Sequence, residues 1–264
     1  MDVAALLAAY DEFRGRLPDL GESVRAERDG PLVRTAGWRR GGFVQYRDLG
    51  NLDGAELDDL IARQVAFFHK RGESFEWKTH GHDLPGDLPE RLRAAGFVAE
   101  SEETVLLAPS SAIAAEVSPP TGVELREVID EADFERIAEM ERRVWDDQHT
   151  HGLVQMLAGR RALDPRAQSV YVAESEGQVI SAAWVRFPAE LSFATLHGGA
   201  TLSAWRRRGV YRALVATRAA LAVERGYPYL QVDASADSRP ILERLGFVAV
   251  TTTTPFIWTP PQNS

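Results

Sequence analysis

Two short helical patterns in this chain, Leu88 to Ala95 and Arg239 to Leu245, end on the same tripeptide, Gly-Phe-Val, at Gly96–Val98 and Gly246–Val248. The approach to each is also the same. Glu56 to Arg71 sets Leu57, Leu60, Ile61, Val65 and Phe68 on one helical face and stops at Gly72, after which Phe75 to Lys78 has strand character. Val210 to Arg225 stops at Gly226, and Tyr229 to Val232 follows as a strand. A glycine after the last helical turn takes the left-handed conformation that ends a helix, and the next apolar residue turns back onto the core. This ordered recurrence, at a period of roughly 150 residues, predicts two copies of one α/β unit.

Length supports the same reading: 264 residues exceed the commonest size of a single domain. The segment Ala108 to Gly122, rich in Pro, Ser and Ala, reads as the linker and places the boundary near residue 117. The expected domains are 1–117 and 118–264. Hairpins are expected from Leu32 to Thr35 with Phe43 to Arg47, and from Val170 to Ala173 with Val179 to Phe187, the latter turning at Glu176-Gly177. Leu191 to Leu196 and Thr251 to Trp258 read as further strands. Met1 to Leu17, Glu131 to Val144 and His151 to Arg161 read as helices.

Composition removes several classes of function. A net charge of −9 argues against a nucleic-acid partner, which needs a basic stripe. The absence of cysteine excludes disulfides, thiolate metal sites and a cysteine nucleophile. His80 and His82 are the nearest approach to a metal-ligand pair, in what looks like a strand running into a turn; no metal site is expected there. No apolar run is long enough to span a bilayer, and the start of the chain lacks the early positive charge of a secretory signal, so no membrane partner is expected and the cytoplasm is the default address.

One stretch carries chemistry. In Ala200 to Leu214 a strand signal runs into an arginine-rich turn with Gly209, then directly into a helix. The first N–H groups of a helix have no intrahelical acceptor and carry partial positive charge. Glycine lets a phosphate approach the backbone, and Arg206, Arg207, Arg208 and Arg212 add a local positive field. A solvated basic turn before a surface helix is the alternative.

The run Arg206-Arg207-Arg208-Gly209-Val210-Tyr211 resembles the pyrophosphate loop, R/Q-x-x-G-x-G/A, of the GNAT acetyltransferase superfamily. Downstream, Ile241-Leu242-Glu243-Arg244-Leu245-Gly246-Phe247 is similar to that family's helix ending, L-Y-E-K-L-G-F. The resemblance spans roughly Val123 to Trp258. It implies an α/β fold of two tandem GNAT-like domains, each a mostly antiparallel twisted sheet flanked by helices. The first copy resembles the family weakly: its corresponding loop, Arg47 to Gly54, carries two aspartates that would repel phosphate, so it is expected to be degenerate.

The resemblance further implies acetyl-CoA as co-substrate and direct attack by a primary amine of a small molecule or peptide. The cofactor is expected on the amides of Ala200, Thr201 and Leu202, on Arg206 to Arg212 including Val210 and Tyr211, and near Ser235 and Ser238. His197 is the candidate base. Tyr211, Ser235 and Ser238, or water, are the candidate acids, since Leu242 stands where the family often has tyrosine. Trp145, Asp146, Asp147 and His149 fall where the family recognises acceptors, and Trp184, Phe187 and Trp205 are further aromatic candidates for that pocket. A non-catalytic acetyl-CoA-binding module is the competing reading, and a mycothiol-synthase-like enzyme a third. Oligomeric state is left open.

Overall fold

The computed structural model describes residues 2–16, 25–37, 41–115, 118–145, 152–189 and 192–261. In chain order the elements begin with α1 (Val3–Arg14), β1 (Arg25–Asp29), β2 (Leu32–Ala36), β3 (Gly42–Gln45), α2 (Gly54–Arg71), β4 (Phe75–His80), α3 (Leu88–Ala94), β5 (Val98–Ala99) and β6 (Glu103–Pro109). They continue with α4 (Ser110–Ile113), β7 (Glu124–Val128), α5 (Glu131–Arg142), α6 (Leu153–Leu163), β8 (Gln168–Ser175), β9 (Gln178–Arg186) and β10 (Phe193–Thr201). A single 3-10 turn (Ser203–Trp205), α7 (Val210–Glu224), β11 (Tyr229–Ala234), α8 (Arg239–Leu245) and β12 (Val248–Trp258) complete the chain.

Two compact units result: Met1–Leu106 with Asp233–Ile241 and Val248–Ser264, and Leu107–Val232 with Leu242–Phe247. This division differs from a linear cut near residue 117. The chain leaves the first unit after Leu106, and the last strand returns to it. There β12 pairs antiparallel with β4, from Thr253↔His80 to Trp258↔Phe75, and sinks Phe256 and Trp258 into the core around Phe68, Phe75 and Trp77. The Pro- and Ser-rich linker is also partly regular, because Ala108 and Pro109 extend β6 and Ser110–Ile113 form a helical turn.

Each unit repeats one plan. In the first, β1, β2 and β3 pair antiparallel in succession, and β3 then lies parallel to β4 over Gly42↔Phe75 to Val44↔Trp77. In the second, β7, β8, β9 and β10 pair antiparallel, and β10 lies parallel to β11 over Phe193↔Tyr229 to Thr195↔Gln231. The glycines that stop the helices take the expected left-handed backbone, φ 62° at Gly72, 90° at Gly96, 79° at Gly226 and 107° at Gly246. The β8–β9 hairpin turns at Glu176-Gly177, both at positive φ, the twist-matched geometry for a two-residue turn. Among the described residues no helix is long and apolar enough to cross a membrane.

Candidate functional site: a strand splay, a bulge and a basic turn

In the second unit β10 and β11 stay paired for three residues and separate after Thr195 and Gln231. Beyond that point β10 remains tied to β9, but the register slips between Gly198 and Ala200. Gly198 and Gly199 both sit at positive φ, 68° and 97°, so the bulge is built from residues without a Cβ penalty. Large rings cover both glycines. A Cβ on Gly198 would fall 2.6 Å from the Trp184 ring, and one on Gly199 2.6 Å from the Tyr211 ring.

The amides past the bulge divide by direction. The N–H of Leu202 donates to the Ile180 carbonyl at 2.9 Å. Main-chain direction alternates along an antiparallel pair, so Ala200 turns its N–H to β9 as well, and Thr201 faces away from it. Of the three amides expected to hold a ligand, only that of Thr201 points away from β9. The Thr201 carbonyl accepts from Arg206 Nε at 3.0 Å, which fastens the basic turn to the end of β10.

The turn itself is open. Arg206, Arg207, Arg208, Gly209 and Arg212 are exposed. Gly209 caps α7 with φ 89° and nothing within 4 Å of where a Cβ would stand. The Ala213 N–H donates to the Gly209 carbonyl at 3.0 Å. Among the described residues no amide from Arg207 to Arg212 makes a main-chain hydrogen bond of ordinary length and angle; the run holds at most the weak bonds of a turn. Arg207 adopts φ 61°, uncommon for a residue with a side chain. The Arg208 guanidinium lies 5.0 Å over the Trp205 ring.

Tyr211 neither crowds this turn nor points out of it. Its ring folds back onto Gly199, and burial pushes its phenol pKa up, with Arg218 pulling the other way. His197 is half-buried; its Nε2 meets Thr195 Oγ1 at 2.9 Å, and its carbonyl accepts from Arg218. Ser235 and Ser238 form the capping turn before α8 and belong to the first compact unit; Ser238 N–H and Arg239 N–H both donate to the Ser235 carbonyl. Leu242 is fully buried.

The aromatic candidates do not assemble. Trp184 and Phe187 are core residues, Trp205 is half-buried beneath Arg208, and Trp145 is exposed beyond α5. Asp146, Asp147 and His149 lie outside the described residues. Arg218, which sequence reasoning missed, has a readable signal: Val210, Leu214 and Arg218 follow at four-residue spacing along one buried stripe of α7.

The equivalent place in the first unit is filled. Past the parting of β3 and β4, Arg14 from α1 is 7% exposed and bonds Asp83 and Asp11 at 2.7 Å each and His80 Nδ1 at 3.0 Å. The Tyr46 hydroxyl donates to Asp83, and the Arg14 guanidinium lies 5.3 Å over the Tyr46 ring. His80 Nε2 meets the Tyr10 hydroxyl, and His82 contacts Thr251 and Asp11, so the two histidines serve this network. Among the described residues no group of side chains has the makings of a metal site. At the start of α2, the counterpart of the basic turn, stands Asp53.

Residues 134–247 match the acetyltransferase (GNAT) family. No curated protein sequence matches the chain. Solved structures share its fold. A GCN5-related N-acetyltransferase from Kribbella flavida superposes with a TM-score of 0.70 at 17% identity, over 99% of this chain and 96% of that one. A GCN5-related N-acetyltransferase from Sphaerobacter thermophilus gives 0.64 at 15%, over 99% and 93%. A tandem GNAT protein from the clavulanic acid biosynthesis pathway, solved without AcCoA, gives 0.62 at 14%, over 99% and 96%. At these identities the likeness is one of fold.

Proposed function

Residues 134–247 are a domain of the GNAT acetyltransferase family, and from this premise we propose that the chain moves an acetyl group from acetyl-CoA to a primary amine of a small molecule or peptide. The observation that carries the reading is the run of amides from Arg207 to Arg212, held by no main-chain hydrogen bond of ordinary geometry, at the start of α7 beside four exposed arginines. A diphosphate fits it: the donors are at most weakly engaged, glycine leaves the approach open, and both the helix terminus and the side chains are positive.

Bound there, acetyl-CoA supplies an activated thioester. The chain's own residues do the rest. The Thr201 amide, turned away from β9, offers a donor to the reacting end. His197, just past the parting of β10 and β11, takes a proton from the incoming ammonium, with Thr195 orienting its ring. The Tyr211 phenol, kept protonated by burial, offers a hydrogen bond toward the departing sulfur. The acceptor is recognised in the region that holds Trp145, Asp146, Asp147 and His149. The filled cleft around Arg14 supports reading the first unit as a copy that takes no cofactor of its own.

The test is mass spectrometry after incubation with acetyl-CoA and a panel of amines and peptides. An acetylated product whose formation depends on the amine is expected. Release of coenzyme A at a rate no amine changes contradicts transfer. It leaves the second reading, a module that binds acetyl-CoA without using it, which the apolar Leu242 favours.

A further inference from the structure

Arg218, in the second unit, is 2% exposed. Its Nε donates to the Leu214 carbonyl at 3.0 Å, within α7. Its Nη1 donates at 3.1 Å each to the carbonyls of Trp184 and His197, which face one another across β9 and β10. One side chain therefore ties a helix to two strands. It grips β10 between Thr195, the last residue paired to β11, and the Gly198–Gly199 bulge.

A clamp between carbonyls does not require a charge; a neutral amide donates as well. A buried guanidinium without a carboxylate is costly. Among the described residues none forms an ion pair with Arg218, and the phenol of Tyr211, whose ring lies on Gly199, is the titratable group that acts on its charge. Burial pulls the Arg218 pKa down to about 10, so the group stays positive at neutral pH. Both ends of this arrangement meet at the bulge: the guanidinium holds the carbonyl before Gly198, and Tyr211 covers the face of Gly199.

We propose that Arg218 is a positioning residue for acyl transfer: it holds the β10 bulge in the shape that aims the Thr201 amide at the thioester, and it keeps a fixed positive charge beneath the oxygen and sulfur that gain negative charge. This rests on the transferase reading above. Charge placed in a dry interior acts more strongly than the same charge in water, and a prearranged one needs no reorganisation during reaction.

The probe is acetyl-CoA carrying carbon-13 at the thioester carbonyl. Its NMR signal when bound reports how strongly the protein polarises that bond. Wild type is expected to move the signal downfield from its free position. Arg218→Met should bind acetyl-CoA within about threefold of wild type but lose at least about half of that displacement; against an amine that turns over, kcat should fall about tenfold or more with KM for acetyl-CoA little changed. A Met variant with the full displacement and wild-type kcat overturns the proposal. Should Met at this buried site prevent folding, Arg218→Lys keeps a charge without the planar fork and should lose part of both effects; wild-type values in it overturn the proposal equally. A wild-type protein that does not bind acetyl-CoA refutes the transferase reading itself, a result distinct from either.

Discussion

Substituting the two bulge glycines separates backbone strain from steric contact. Alanine at Gly198 must hold φ 68° and bring its methyl to 2.6 Å from a Trp184 ring that is only 7% exposed. The left-handed backbone costs about 1–2 kcal/mol and overpacking of a fixed core about 1–3 kcal/mol more, so Gly198→Ala should destabilise by about 2–5 kcal/mol. Alanine at Gly199 meets the same strain at φ 97°, but its neighbour is the half-buried Tyr211, which can swing away. Gly199→Ala should therefore cost about 1–3 kcal/mol and displace Tyr211 from the bulge. The assay is urea unfolding of both single variants and of a Gly199→Ala, Tyr211→Ala cycle. Removing the ring should relieve the contact and leave the strain, giving a favourable coupling of about 1 kcal/mol. Equal stability of Gly198→Ala and wild type, or no coupling in the cycle, would refute the packing described for the bulge.

Other outcomes follow from the first unit. Removing Arg14 leaves Asp83 buried beside Tyr46 without its cation, so Arg14→Met should lose about 3–5 kcal/mol in denaturant unfolding; a loss below about 1 kcal/mol would show that the filled cleft contributes little. Burial holds the His80 pKa below its usual value, so below about pH 6.5 the unfolded chain takes a proton that the folded chain refuses, and stability should fall as pH drops. Burial pushes the Asp83 carboxyl up, yet hydrogen bonding at His80 and the Arg14 charge outweigh it and bring its pKa to about 2; the stability this gives, full above its unfolded pKa, is lost as pH falls toward that value. A flat stability profile between pH 7 and 3 would contradict both. Burial raises Glu103 to about pKa 6, so ionising it opposes folding above that pH; Glu103→Gln should stabilise by about 1 kcal/mol at pH 8, after allowance for its partial exposure, and not at pH 4, as thermal melts would show.

Local signals read directly from the sequence. The glycine caps at Gly72, Gly96, Gly226 and Gly246, the Glu176-Gly177 turn and the basic turn before Val210 all rest on conformations that few residues adopt, so the residues announce them. What escaped was decided over distance. β1, Arg-Ala-Glu-Arg-Asp, has no apolar alternation and is held by its pairing to β2 at the sheet edge. The return of β12 to the first unit depends on which core accepts Phe256 and Trp258, and no local pattern encodes that. Trp184 has the composition of a pocket wall but is spent covering Gly198. Arg218 was legible in principle, as a charge on the apolar stripe of α7, but its partners are main-chain carbonyls that no sequence displays.

Titration calorimetry with acetyl-CoA tests most directly whether the turn before α7 seats a diphosphate. Arg208 is exposed, so its reversal to glutamate should cost little stability beyond the Trp205 contact while turning one attraction into a repulsion beside the amides. Clear binding by wild type and at least a tenfold weaker Kd for Arg208→Glu, about 1.4 kcal/mol, are predicted. Equal affinities for the two proteins, or none for either, would contradict the placement of the cofactor.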